Sequence, residues 1–184
     1  MTPSQITRFQ QFAFDHEARV DKQGRLIIYE LPSNDGGGKY EVAGITERYD
    51  HGTVMQLVEL IKAQSFKKAE QVCKDFYVAN TNPVQAWSGV AALEFWFRDN
   101  MLNRGYTGAL KTMQQAVGVD TDGHLGPLTA RKLALKVKSP AKLLSDLRAA
   151  TEWYENTFVG ARPNLRKGLV NRWNDRLAFA QSFL

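Results

Sequence analysis

The chain has 184 residues, 43% of them hydrophobic and 23% charged, the profile of one globular domain or of two small lobes around a shared core. With Cys73 as the one cysteine, an intramolecular disulfide and a cysteine-rich metal site are both excluded. Lys and Arg outnumber Asp and Glu by 24 to 19, a formal charge of +5, which favours anionic partners such as nucleic acid, acidic lipid or cell-wall polymer without choosing among them.

Thr2, Pro3 and Ser4 are helix-start residues, and Ile6, Phe9, Ala13 and His16 follow at spacings of three and four. This predicts a helix over residues 3–17. The character then changes. Residues 25–31 are rich in Leu, Ile and Tyr, residues 32–38 collect turn formers, and residues 39–45 return to alternation, so a β-hairpin or small sheet is expected. From residue 53 onward the pattern is helical, with segments over 53–61, 66–78 and 84–102. Gly105 and Gly108 punctuate before a helix over 109–117. Beyond a turn-rich stretch at 120–127, further helices are expected over 128–137, 140–158 and 165–183, the last two parted by Pro163. The residues thus predict a mainly α (α+β) chain with one small β element near the N-terminus. There is no internal repeat and no obvious linker, so a single compact domain with two lobes is expected.

Several chemistries lack their residues. The histidines at 16, 51 and 124 form no pair at helical spacing for zinc. The run Gly36-Gly37-Gly38-Lys39 lacks the spacing of a phosphate-binding loop, and no Gly-x-Ser-x-Gly elbow occurs. Cys73 falls within an amphipathic helix pattern, where a small buried hydrophobe is expected. Neither a signal-peptide core nor a membrane span is apparent. Synthesis in the cytoplasm, with no stable membrane insertion, is the resulting expectation.

Carboxylates remain. Glu17 closes the first predicted helix just before the β element that carries Asp35 and Glu41. Glycosidic hydrolysis needs a protonated acid at the leaving oxygen and a second carboxylate that activates water or stabilises the oxocarbenium-like centre. A helix end facing a hairpin can supply both, with Phe12, Phe14 and Val20 as the apolar neighbours that would keep Glu17 protonated.

Residues 35–46, D-G-G-G-K-Y-E-V-A-G-I-T, resemble the D-x-G-G-x-T-x-x-G-I-T segment of glycoside hydrolase family 108, the peptidoglycan N-acetylmuramidases of phages and bacteria. Phe97, Asp99, Asn103 and Gly105 resemble that family's F-D-x-x-x-N-x-G helix. Residues 110–129, with M-Q-Q-A-V-G-V-D-T-D-G-H-L-G-P-L-T, resemble its peptidoglycan-binding segment, and Gly168, Leu169, Asn171 and Arg172 are similar to its G-W-L-N-R close. The four blocks occur in the family's order. One difference lies beside the acid, where the family has Gly-Gly-Tyr and this chain has Ala18, Arg19 and Val20.

The resemblance implies a lysozyme-like helical bundle over residues 1–184, with a small hairpin lobe at about 18–52. The helical lobe, about 53–184, would include a peptidoglycan-binding-like segment at 106–137. It implies an endolysin-type muramidase with Glu17 as general acid, acting on glycan strands after release through a holin-type pore or by dedicated export. A lytic transglycosylase and a non-catalytic wall-binding or secretion-accessory protein are the alternatives. No cofactor or metal, no nucleic-acid partner and a monomeric state are expected. Tyr40, Thr46, Asp99 and Asn103 are the implied substrate-binding residues, although Asp99 and Asn103 also suit hydrogen bonds to the hairpin. The second carboxylate is divided between Glu41, as in the chitinase and phage endolysin branch, and Asp35, as in the Glu, Asp and Thr set of T-even-phage lysozymes. Strand alternation favours Glu41, because Tyr40 and Val42 would pack inward and leave Glu41 on the opposite face. Asp35, before three glycines, suits a turn. The Asp122-Gly123-x-x-Gly126-Pro127 stretch fits either a turn leading into a helix or a direct role in glycan binding. Trp87, Trp96, Trp153 and Trp173 are expected mainly in the core.

Overall fold

The structure is a computed structural model that describes residues 1–32, 36, 38–160 and 162–184. Among them the chain is mainly α, with seven α-helices and one small antiparallel sheet. Two compact units emerge, one of residues 6–79 and one of residues 1–5 with 80–184.

Helix α1 (Pro3–Glu17) has the expected bounds because its start is written locally. Gln5 N–H donates to Thr2 Oγ1 (3.4 Å) and Thr2 N–H donates to Gln5 Oε1 (2.7 Å). This reciprocal cap has Pro3 at the first helical position. Phe9, Phe12 and Ala13 make its buried face, and a fully buried Phe contributes about 1.5–3 kcal/mol.

Strands β1 (Tyr29–Glu30), β2 (Tyr40–Val42) and β3 (Ile45–Thr46) form the sheet in the order β1-β2-β3. Tyr29 pairs with Glu41 and Glu41 with Thr46, while Val42 pairs with Ile45. Val42 and Ile45 are buried, against helix α2 (His51–Lys62). The turn between β2 and β3 consists of Ala43 (φ +50°) and Gly44 (φ +75°). A two-residue hairpin turn wants both central residues left-handed, which glycine adopts freely and alanine only at a cost of about 1–2 kcal/mol. Helix α2 begins two residues before the expected start because Asp50 accepts from Thr53 N–H at 2.9 Å. Helix α3 (Phe66–Thr81) buries Ala69, Cys73 and Tyr77. The Cys73 thiol is pushed up to about 12 by burial, as befits an inert packing group.

The second unit is organised around helix α4 (Ala91–Val117). Residues 92–101 are all buried, because α6 (Pro140–Tyr154) and α7 (Arg166–Gln181) pack against α4 and against each other. Two expectations are corrected here. Residues 82–87 form a 3-10 turn instead of the start of a long α-helix, and Gly89, at φ +68°, separates it from α4. The backbone does break at Gly105 (φ +67°, ψ 176°), yet helical hydrogen bonding resumes and carries α4 on to Val117. Gly108 lies inside that second arm, where a β-carbon would stand 3.0 Å from the Tyr154 hydroxyl. Helix α5 (Pro127–Lys136) follows. The helix expected to reach residue 158 instead ends at Tyr154 and widens into a π-turn over Glu155–Val159.

Charges taken into this core are matched. Glu94 pairs with Arg98 at 2.9 Å, and Arg98 also donates to Thr81 Oγ1 at 2.9 Å. Trp87, Trp96 and Trp173 are buried, and Trp153 is half-buried against Phe158.

Candidate active site

In the unit of residues 6–79, the first helix delivers Glu17 to the β2–β3 turn. A β-carbon built on Gly44 would lie 2.9 Å from Glu17 Oε2 and 3.2 Å from Glu17 Cβ. The acid therefore rests directly on the glycine's backbone. The turn is fixed from behind by Tyr77, whose buried hydroxyl donates to the Ala43 carbonyl at 2.7 Å. Glu17 is half-buried. Of its expected apolar neighbours, Phe12 and Phe14 are buried, but Val20 is 48% exposed and bridges to Leu26.

Cross-strand partners project from one face of a sheet, so Tyr29, Glu41 and Thr46 share a face, opposite Val42 and Ile45. Tyr40, half-buried, belongs with Val42, as strand alternation predicts. Arg19 lies over the Tyr29 ring, 3.8 Å from its centroid, and its Nε is 3.4 Å from Glu41 Oε1. Thr46 Oγ1 is buried with no hydrogen-bond partner among the described residues. The base of the sheet is tied by Glu47, whose carboxylate accepts from Lys39 N–H (2.8 Å) and Tyr40 N–H (3.2 Å) and meets His51 at 3.2 Å. The hydrogen bond from Lys39 N–H, then that from Tyr40 N–H and the His51 charge, hold Glu47 below the ordinary carboxylate range. Asp35 lies outside the described residues.

No known family profile matches the sequence, and no curated protein matches it. Among solved structures, the chain is similar to that of Brucella abortus SagA, with a TM-score of 0.62 and 19% sequence identity over 99% of this chain and 97% of that one. At that identity the likeness establishes the fold alone.

Asp99 and Asn103 belong to the other unit. Asp99 is fully buried, one oxygen receiving Arg172 at 2.6 Å and the other receiving Arg176. Burial alone would raise its pKa, but the Arg176 and Arg172 charges outweigh that and hold it below its ordinary value. Asn103 donates to the Asp99 carbonyl at 2.8 Å, one turn back on its own helix. The Asp122 to Pro127 stretch is likewise organised internally. The buried Gln114 side chain donates to Asp122 (2.6 Å) and to the His124 carbonyl (3.0 Å), and accepts from Gly123 N–H (2.9 Å).

Sequence reasoning passed over Arg19, Gly44 and Tyr77. The Ala-Gly pair in the turn was the available signal for Gly44; nothing local marks Tyr77. Among the described residues no group of three His, Cys, Asp or Glu side chains gathers to hold a metal ion, and no helix is long and apolar enough to cross a membrane.

Proposed function

We propose that this chain is a peptidoglycan hydrolase, an endolysin-type muramidase that cleaves the β-1,4 bond between N-acetylmuramic acid and N-acetylglucosamine. The observation that carries this reading is the seating of the Glu17 carboxyl on Gly44, in the turn that directly follows the strand bearing Glu41. Glu17 donates its proton to the leaving glycosidic oxygen. Glu41, beside Arg19, takes a proton from the attacking water or faces the positive charge that develops at the anomeric carbon. The +5 charge suits an anionic wall, and the SagA likeness supports the architecture only. Action on the wall would follow release through a pore or by dedicated export.

The test is a mass-spectrometric digest of purified peptidoglycan by the wild type and by Glu17→Gln. Replacing a general acid costs about 10²- to 10⁴-fold in rate, so release of soluble muropeptides should fall by at least about a hundredfold in a variant that melts normally. Retention of half the wild-type rate removes Glu17 from the role. Wall binding without release by the wild type would mark a non-catalytic wall-binding protein.

One observation favours a second reading within the same chemistry. Glu41 is already engaged by Arg19, and a lytic transglycosylase needs a single catalytic carboxylate. In that reaction the muramic acid's own 6-hydroxyl attacks C1 and the product is an anhydro sugar. Reducing-end analysis separates the two outcomes.

A further inference from the structure

Arg19 stands beside Glu41, and its placement is not that of a simple counter-ion. Its guanidinium carbon lies over the Tyr29 ring, 3.8 Å from the centroid, a cation–π contact that restrains the side chain and lowers the entropy that a ligand would have to freeze. Only Nε approaches Glu41, at 3.4 Å. That is longer than the roughly 2.7–2.9 Å of a strong charge-assisted bond, so Glu41 leaves most of the cation's binding capacity unspent. The Nη edge has no hydrogen-bond or ion-pair partner among the described residues, and the side chain is 49% exposed, against 16% for Glu41. An arginine restrained on an aromatic ring and half exposed beside the proposed second carboxylate is suited to an anion arriving with the substrate.

We infer that Arg19, presented by Tyr29, is a recognition site for a substrate carboxylate. It would thereby select glycan carrying charged groups over neutral N-acetylglucosamine polymer. This rests on the muramidase reading for the nature of the polymer. Two carboxylate sources exist on such a substrate: the lactyl group of a muramic acid that carries no stem and, where a stem is attached and its amide bond has consumed the lactyl carboxyl, the acids of that peptide. Both offer the bidentate geometry that a guanidinium matches, and a chitin strand offers neither. The binding step forms no covalent bond. The arriving carboxylate exchanges water for the Nη edge while Nε stays beside Glu41.

The experiment uses the full chain, Arg19→Gln and Arg19→Lys, titrated by calorimetry with three probes of equal sugar length. These are an N-acetylglucosamine tetramer, a glucosamine–muramic acid tetramer stripped of peptide, and the same tetramer bearing its stem peptides. The wild type should bind the charged probes more tightly than the neutral one. Arg19→Gln should weaken whichever charged probe offers the recognised carboxylate about tenfold, the loss of one charge-assisted contact, and leave the neutral probe unmoved. Arg19→Lys should recover part of the loss, since it keeps the charge without the fork. A loss confined to the stripped probe, whose lactyl carboxylate is free, assigns the lactyl group, a loss confined to the peptide-bearing probe assigns the stem, and a loss on both shows that either carboxylate is taken. The inference is overturned if the neutral and charged probes weaken together, which would make Arg19 a prop for Glu41, or if no probe responds. Hydrolysis by the same preparations is followed in parallel. Charge-selective binding with no cleavage would overturn the enzymatic reading and keep this one, whereas normal cleavage with probe-independent binding would do the reverse.

Discussion

Gly44 and Glu17 meet with no room for a side chain between them, the glycine's missing β-carbon falling 2.9 Å from the carboxyl oxygen. The contact joins the end of the first helix to the tip of the hairpin, and so sets where the proposed acid stands. Gly44→Ala should displace Glu17 and strain a position at φ +75°. Expected are a fall in wall-lytic rate of at least about tenfold and a stability loss of about 1–3 kcal/mol. Rate assays well below the melting temperature keep the two apart, and a fully active Gly44→Ala would break the link between the turn and the acid.

If Glu41 is the second carboxylate, Glu41→Gln should lower the catalytic rate by about 10²-fold or more, while Asp35→Asn lowers it far less. Both variants should still sediment with insoluble wall. A carboxyl separation of roughly 6.5–9.5 Å in a ligand-bound crystal would go with inversion, and roughly 5–5.5 Å with retention. A fully active Glu41→Gln transfers the role to Asp35.

Asp99 makes a prediction about acid stability. Its folded-state pKa is depressed, and the unfolded chain titrates near about 4. The stability it contributes is therefore present in full above about pH 4 and is lost as pH falls through the lower folded value. Asp99→Asn removes the buried carboxylate that Arg176 and Arg172 share, which should cost about 3–5 kcal/mol at neutral pH. It should also flatten the dependence of the denaturation midpoint on pH below about 4. Equal slopes for the two proteins would show that other carboxylates carry the acid transition.

Gln114 is 1% exposed and serves as the hub of the turn that precedes α5. Gln114→Ala strands the Gly123 N–H and removes the donor to the His124 carbonyl, for an expected loss of about 1–3 kcal/mol. Hydrogen exchange should accelerate over residues 119–126 while the first unit is unaffected. Wall binding that survives in a still-folded Gln114→Ala would confirm that the motif works on the fold.

What was legible in the sequence follows the range of the interactions. Helix α1 has the expected bounds because Thr2, Pro3 and Gln5 write its start within four residues. Strand alternation likewise put Glu41 and Tyr40 on opposite faces. The 3-10 turn at Asn82–Trp87 was missed because its apolar spacing imitates a helix, although Pro83 and Gly89 were in view. The Arg172 and Arg176 partners of Asp99 lie 73 and 77 residues away, and nothing near residue 99 announces them. The Tyr77 bond to Ala43 spans 34 residues and is equally silent. Motif spacing singled out Glu17 and Glu41; the contacts that Gly44, Tyr77 and Arg19 make around them came only from the folded chain.

Cys73 has a practical consequence. It is fully buried, and its thiol titrates at about 12, so at neutral pH almost none of it is the thiolate that reacts with maleimides. A cysteine introduced at Tyr49, which is 83% exposed, would accept a fluorophore at one defined point with the natural residue left in place. Fluorescence from that label, close in sequence to the hairpin, gives a binding signal for wall fragments that does not depend on their being cut.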